Sequence, residues 1–133
     1  MIGRVEVFPM LKKLWKRTKE RRTIRKINKA FGFPLREYQI EYIFGRINFL
    51  PSNRQSGRTL AHCIRLCLSE GPPLDIKEEL RKSGQPLTLE PYRGAEFETH
   101  YNSPHYKKWF AEELRRVYTT LQKSRVKVRT IIF

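Results

Sequence analysis

The order of residues 47–68 constrains the fold more than any other stretch of this chain. An apolar run at 47–50 meets a turn-rich segment, Pro51-Ser52-Asn53-Arg54-Gln55-Ser56-Gly57. Arg58 and Thr59 then open a segment in which Leu60, Cys63, Ile64, Cys67 and Leu68 recur at helical spacing. A buried strand that stops abruptly, a tight loop and an amphipathic helix make the local frame of a phosphate-binding loop. Such a loop needs inward-facing backbone N–H groups, a Gly beside the phosphates, a cation, and a hydroxyl for Mg²⁺ at the helix start. Gly57, Arg58 and Thr59 fit the last three roles. The full G-x-x-x-x-G-K-[ST] pattern would put its first Gly at Ser52 and its Lys at Arg58, so both of those positions deviate. Arg keeps the charge, but its planar fork does not thread between phosphates as an ammonium does. The segment therefore predicts nucleotide or anion binding without efficient hydrolysis.

The chain has 133 residues, which fits one domain, 1–133, with a basic helical segment at 1–31 ahead of an α/β core at 35–133. Lys and Arg number 28 against 13 Asp and Glu, a formal net charge of +15. Polyanions are the expected partners, because neutralising phosphates releases counterions. Nucleic acid leads, DNA ahead of RNA, with an acidic protein surface or an anionic membrane behind it. The N-terminus shows no long apolar run before a cleavage site, and every apolar stretch is far shorter than a bilayer span. The expectation is a soluble, cytoplasmic protein with no membrane partner. Cys63 and Cys67 fall on the same helical face as Leu60, Ile64 and Leu68, which reads as buried reduced thiols; a metal site would need two more ligands at recognisable spacing. His62 lies about 100° around that helix.

Lys12, Lys13, Lys16, Arg17, Lys19, Arg21, Arg22, Arg25, Lys26 and Lys29 crowd residues 10–31 against Glu20 alone. Solvated faces usually mix charges, so this excess of one sign points to a polyanion rather than to solubility alone. Leu11, Leu14 and Trp15 share one helical face and Ile24, Ile27 and Phe31 another, out of register with the first. A break near residues 19–23 would reconcile them.

Gly32-Phe33-Pro34 ends that element, with Pro34 placed in the first turn of a new helix. Leu35, Tyr38, Gln39, Tyr42 and Ile43 continue at helical spacing to Gly45. After Gly71-Pro72-Pro73, Asp75 with Glu78 suggests a capping box for a short helix ending at Gly84. Ser103-Pro104 starts another helix, striped by Tyr106, Trp109, Phe110, Leu114, Val117, Tyr118 and Leu121. Residues 126–133 alternate as a strand. Helices interleaved with short strands predict an α/β fold: a small, partly parallel sheet flanked by helices, with a truncated core like that of a phosphate-loop protein. The strand at 47–50 is expected beside the one at 126–133.

Leu35-Arg36-Glu37-Tyr38-Gln39, followed by Arg54-Gln55-Ser56-Gly57-Arg58-Thr59 and a hydrophobic helix, resembles the start of the ATPase domain of tailed-phage large terminase subunits. The resemblance covers residues 35–70. That family pairs a Tyr-Gln adenine motif with a compressed loop of the form Arg-Gln-x-Gly-Lys-Ser/Thr. The resemblance implies that Gln39 reads adenine with Tyr38 beside it, and that Arg54 lies near the γ-phosphate with Gln55 and Ser56 in the loop. Gly57 would approach the phosphates, Arg58 would replace the lysine and Thr59 would hold Mg²⁺, with ATP as nucleotide. The ordinary alternatives are a core Tyr38, a helix-surface Gln39 and solvated Arg54 and Arg58. No later apolar strand ends in Asp-Glu, and Asp75 is the only Asp, so the hydrolytic carboxylates and a nuclease domain are missing.

Two functional classes follow, both phage-type and in a host cytoplasm. One is a small nucleic-acid-binding protein on a degenerate, non-hydrolysing phosphate-loop scaffold, which retains the loop as an anion site or a weak ATP-binding remnant. The other is a regulatory protein that binds a host or phage factor. A third reading is enzymatic: His62, His100 and His105 with Glu96, Glu98 and Tyr101. Alternation along an extended segment would put Glu96, Glu98 and His100 on one side, able to hold a divalent metal; a solvated loop is the competing reading.

Overall fold

A computed structural model describes residues 2–47, 57–81 and 104–133, with residues 2–10 and Pro104 as backbone only. The described chain runs α1 (Ile2–Phe31), α2 (Glu37–Ile43), α3 (Arg58–Leu68), β1 (Leu74–Asp75), α4 (Ile76–Arg81), α5 (Pro104–Lys123) and β2 (Ile131–Ile132). It is mostly helical, with one two-stranded parallel sheet in which Leu74 faces Ile131 and Asp75 faces Ile132.

The apolar stripes decide the packing. α3 lies against α2 and α5, and α5 also meets α1. Because α3 is covered from two sides, its burial exceeds one stripe: Ala61, His62, Cys63, Ile64, Leu66 and Cys67 are all buried. The expected Leu60 and Leu68 are only partly covered at its margins. Tyr106, Phe110, Leu114, Val117 and Leu121 bury the matching face of α5, while Trp109 is 41% exposed. Burial also raises both thiols, Cys67 to about 12 and Cys63 well above its ordinary value.

α1 corrects the expected break. It is one helix of 30 residues. From residue 10 to 31 it contains neither Gly nor Pro, and the Thr18 and Thr23 hydroxyls donate to the Leu14 and Lys19 carbonyls at 2.9 and 3.0 Å, inside the helical ladder. The mismatch between its two apolar faces is resolved by leaving one uncovered. Ile27 is fully buried with Phe31 packed beside it, whereas Leu11, Leu14 and Trp15 are 55%, 57% and 70% exposed. Glu20 marks the change: its carboxylate pairs with Arg46 at 2.9 Å, and Arg46 also pairs with Glu41 at 2.7 Å, tying the middle of α1 to the end of α2.

Three further expectations change. Pro34 precedes α2 rather than opening it; Arg36, extended at φ −75°, is the N-cap, and Leu35 N–H donates to Asn28 Oδ1 at 2.8 Å. The expected strand at 126–133 shrinks to Ile131–Ile132, because the preceding backbone bonds to helix ends instead. Val126 N–H donates to Leu121 O at 3.0 Å and Arg125 N–H to Gln122 O at 3.0 Å, a Schellman closure of α5 with Arg125 left-handed at φ 59°. Arg129 N–H donates to Cys67 O at 2.7 Å at the end of α3. Finally, the partner of the C-terminal strand is Leu74–Asp75, not the run at 47–50: Ile47 lies outside any strand, and residues 48–50 lie outside the described residues. Asp75 does cap α4, its Oδ1 accepting from Glu78 N–H at 3.3 Å, but the expected end at Gly84 lies outside the described residues.

Candidate nucleic-acid interface

The two ends of α3 carry different chemistry. At its N-terminus Gly57 is the cap, left-handed at φ 71° and ψ 29°. A Cβ there would be strained by that backbone and would overlap Gln39 Nε2, so the position is closed to larger residues on two counts. Gln39 is 4% exposed, which removes the helix-surface alternative. Its Oε1 accepts from Arg36 N–H at 2.9 Å and its Nε2 donates to Gly57 O at 3.2 Å, so one amide caps α2 and clasps the start of α3. Those two bonds use one of the two Nε2 hydrogens and one Oε1 lone pair, and they fix the orientation of the amide. Tyr38 is half-buried, and its hydroxyl accepts from Arg36 Nη1 at 2.8 Å. Arg58 and Thr59 are half-buried in the first turn of α3. The structure thus joins Gln39 to Gly57; Arg54, Gln55 and Ser56 lie outside the described residues.

At the other end of α3, a cleft of about 510 Å³ opens between α1, the α3 C-terminus and the segment leading into β2. Lys16, Lys19, Lys127 and Arg129 line it, with Glu20 and Glu70 as its acids. Arg129 builds the wall: Nε donates to Pro72 O at 2.8 Å and Nη1 to Ser69 Oγ at 3.1 Å. Its guanidinium lies where a Cβ on Gly71 would intrude, at 2.9 Å from Nη2, so a glycine admits it. Glu20 is held by Arg46. Lys16, Lys19 and Lys127 are exposed and make no hydrogen bond or ion pair among the described residues, so their charge faces solvent. Phe44, Leu68 and Val128 give the cleft apolar surface.

Comparison with protein families, with curated proteins and with solved structures finds no match for this chain.

The expected basic residues are exposed on two sides of α1. Lys12, Lys13, Lys16, Arg17, Lys19, Arg21, Arg22, Arg25 and Lys26 are all exposed on α1. At about 100° per residue, Lys12, Lys13, Lys16, Arg17 and Lys19 occupy the side of the rod that becomes the core side beyond Glu20. Arg21, Arg22, Arg25 and Lys26 occupy the opposite side, in line with Leu11, Leu14 and Trp15. The cationic surface therefore crosses the helix at Glu20. Lys26 is partly engaged, its Nζ donating to Arg125 O at 3.2 Å.

The enzymatic reading finds no assembled site among the described residues. His62 is buried, hydrogen-bonded through Nδ1 to the Tyr42 hydroxyl at 2.9 Å and packed 5.7 Å from the Phe110 ring. His105 is exposed on α5. Glu96, Glu98, His100 and Tyr101 lie outside the described residues, among which no group of three or more His, Cys, Asp or Glu is placed to hold a metal. No helix of the described residues is long and apolar enough to cross a membrane. Sequence reasoning missed the cleft. Lys127 and Arg129 carried the only signal, alternating cations on a short C-terminal strand, and nothing local places them beside Lys16 and Lys19.

Proposed function

We propose that this is a small phage-type protein that binds nucleic acid, DNA foremost, through backbone phosphates rather than base edges. The supporting observation is the density of exposed cations along α1, from Lys12 to Lys29, among which Glu20 is the lone acid and is already paired. Clustered cations of this kind neutralise phosphates without reading sequence. The terminase-like segment enters as scaffold: the start of α3, with Gly57, Arg58 and Thr59, serves as an anion site that binds ATP weakly with Mg²⁺ and does not turn it over. Fluorescence anisotropy with labelled oligonucleotides of unrelated sequence tests the reading. Similar affinities across sequences support it, and absence of binding at low salt refutes it.

A second reading rests on a separate observation. Leu11, Leu14 and Trp15 are exposed together and flanked by lysines, a surface suited to a regulatory contact with an acidic, partly apolar protein. Replacing all three with Ser should leave DNA binding intact and abolish that contact.

A further inference from the structure

The cleft and the open face of α1 differ in kind, although both are cationic. Along α1 the lysines and arginines stand on a convex rod, where they can meet any array of phosphates. In the cleft, exposed cations stand over a concave surface that contains an aromatic ring. Lys16 and Lys19 come from α1 and Lys127 from the segment before β2, so two separate elements supply them. Phe44 lines the cleft, with the Arg46 guanidinium 5.6 Å from its ring centroid. Leu68 and Val128 extend the apolar surface, and exposed Glu70 adds a hydrogen-bond acceptor. The volume, about 510 Å³, falls in the range of small-molecule sites, about 300–1,000 Å³.

From this we infer that the cleft takes single-stranded nucleic acid, holding an unpaired base against Phe44 while Lys16, Lys19 and Lys127 hold the phosphates on either side. The inference rests on the nucleic-acid reading above and makes it more specific. In a duplex the base faces are stacked and only their edges reach the grooves, so no base can lie on a recessed ring. A single strand offers both parts at once, π-faces for an aromatic side chain and a flexible backbone for cations on two walls. Glu70 would repel phosphate but can accept from an unpaired base N–H, thymine N3–H included, which suits a base inside the cleft and phosphates outside it. An acidic peptide would satisfy the lysines but brings no planar base to the ring.

The test compares a labelled oligothymidylate, a hairpin duplex of equal charge and polyglutamate of equal charge, each titrated with the full chain at one low salt concentration. The variants are Lys127→Gln, on an exposed side chain, and Phe44→Leu, with circular dichroism to confirm folding. The expected result is oligothymidylate bound about tenfold more tightly than duplex, the effect of one stacked base. Both variants should lower single-strand affinity and leave duplex affinity unchanged. Equal affinity for single strand and duplex, unmoved by Lys127→Gln, would overturn the inference while leaving the nucleic-acid reading intact. Tighter binding of polyglutamate would overturn it in favour of an acidic protein. Failure to bind either nucleic acid would overturn both readings.

Discussion

Two halves of one helix meet opposite fates here. Beyond Glu20, α1 buries Ile27, packs Phe31 against the core and meets α5; before it, residues 11–19 are all exposed. Both halves have an apolar trio, so hydrophobicity alone does not decide burial. A rigid helix presents one face to a core, and Leu11, Leu14 and Trp15 lie on the face that turns away. The difference teaches that a helix can be held by one half while the other stays open to solvent, so that one element carries both buried anchors and a free surface.

The comparison can be broken by substitutions that treat the anchored and projecting parts alike. The largest effect is expected in the packed core. Phe110→Ala, at a fully buried ring, should cost about 3–5 kcal/mol in denaturant unfolding. A loss below about 1 kcal/mol would mean that α5 is not held as described. Gly57→Ala comes next, at about 1–2 kcal/mol for the left-handed backbone, with added cost from displacing Gln39. An unchanged unfolding midpoint would show that the Gln39 clasp does not hold α3.

The buried thiols sharpen the same boundary through pH. Their folded values are raised above the ordinary 9.0, so their contribution is present below about pH 9 and lost as pH rises toward 12. Thermal midpoints should fall across that window, and less steeply in a Cys63→Ala, Cys67→Ala double variant. Equal slopes would place the thiols outside the core. Arg125→Gly should stabilise by about 0.5–1 kcal/mol, because relief of left-handed strain exceeds the added chain entropy. The smallest effect is on the projecting half: Leu14→Ala should change unfolding by no more than about 0.5 kcal/mol.

The sequence made the long, periodic elements legible. α5 begins at Pro104 as its Ser-Pro signal predicts, and its stripe is buried at Tyr106, Phe110, Leu114, Val117 and Leu121. α2 buries Gln39, Tyr42 and Ile43 at the expected spacing. What stayed hidden depends on contacts distant in sequence. Two out-of-phase stripes look like a broken helix unless it is known that nothing covers one of them. Leu74 and Asp75 are too short a strand for any alternation to register; their pairing comes from the C-terminal segment, with Leu74 N–H donating to Thr130 O at 2.9 Å. His62 looked peripheral because one stripe was assumed for α3, which is covered from two sides. Gln39 was legible as important but not as a clasp, since its partner Gly57 is 18 residues away. The cleft needed Lys16, Lys19 and Lys127 brought together from opposite ends of the chain.

The most direct test of the central claim is the salt dependence of DNA affinity in the intact protein and in a variant with Lys12, Lys13, Lys16 and Arg17 all changed to Gln. Log affinity should fall linearly with log salt, and the variant should lose about 0.9 of slope for each duplex phosphate contact removed. An affinity that barely moves between about 50 and 200 mM salt, or a slope identical in both proteins, would contradict a binding surface on the projecting half of α1.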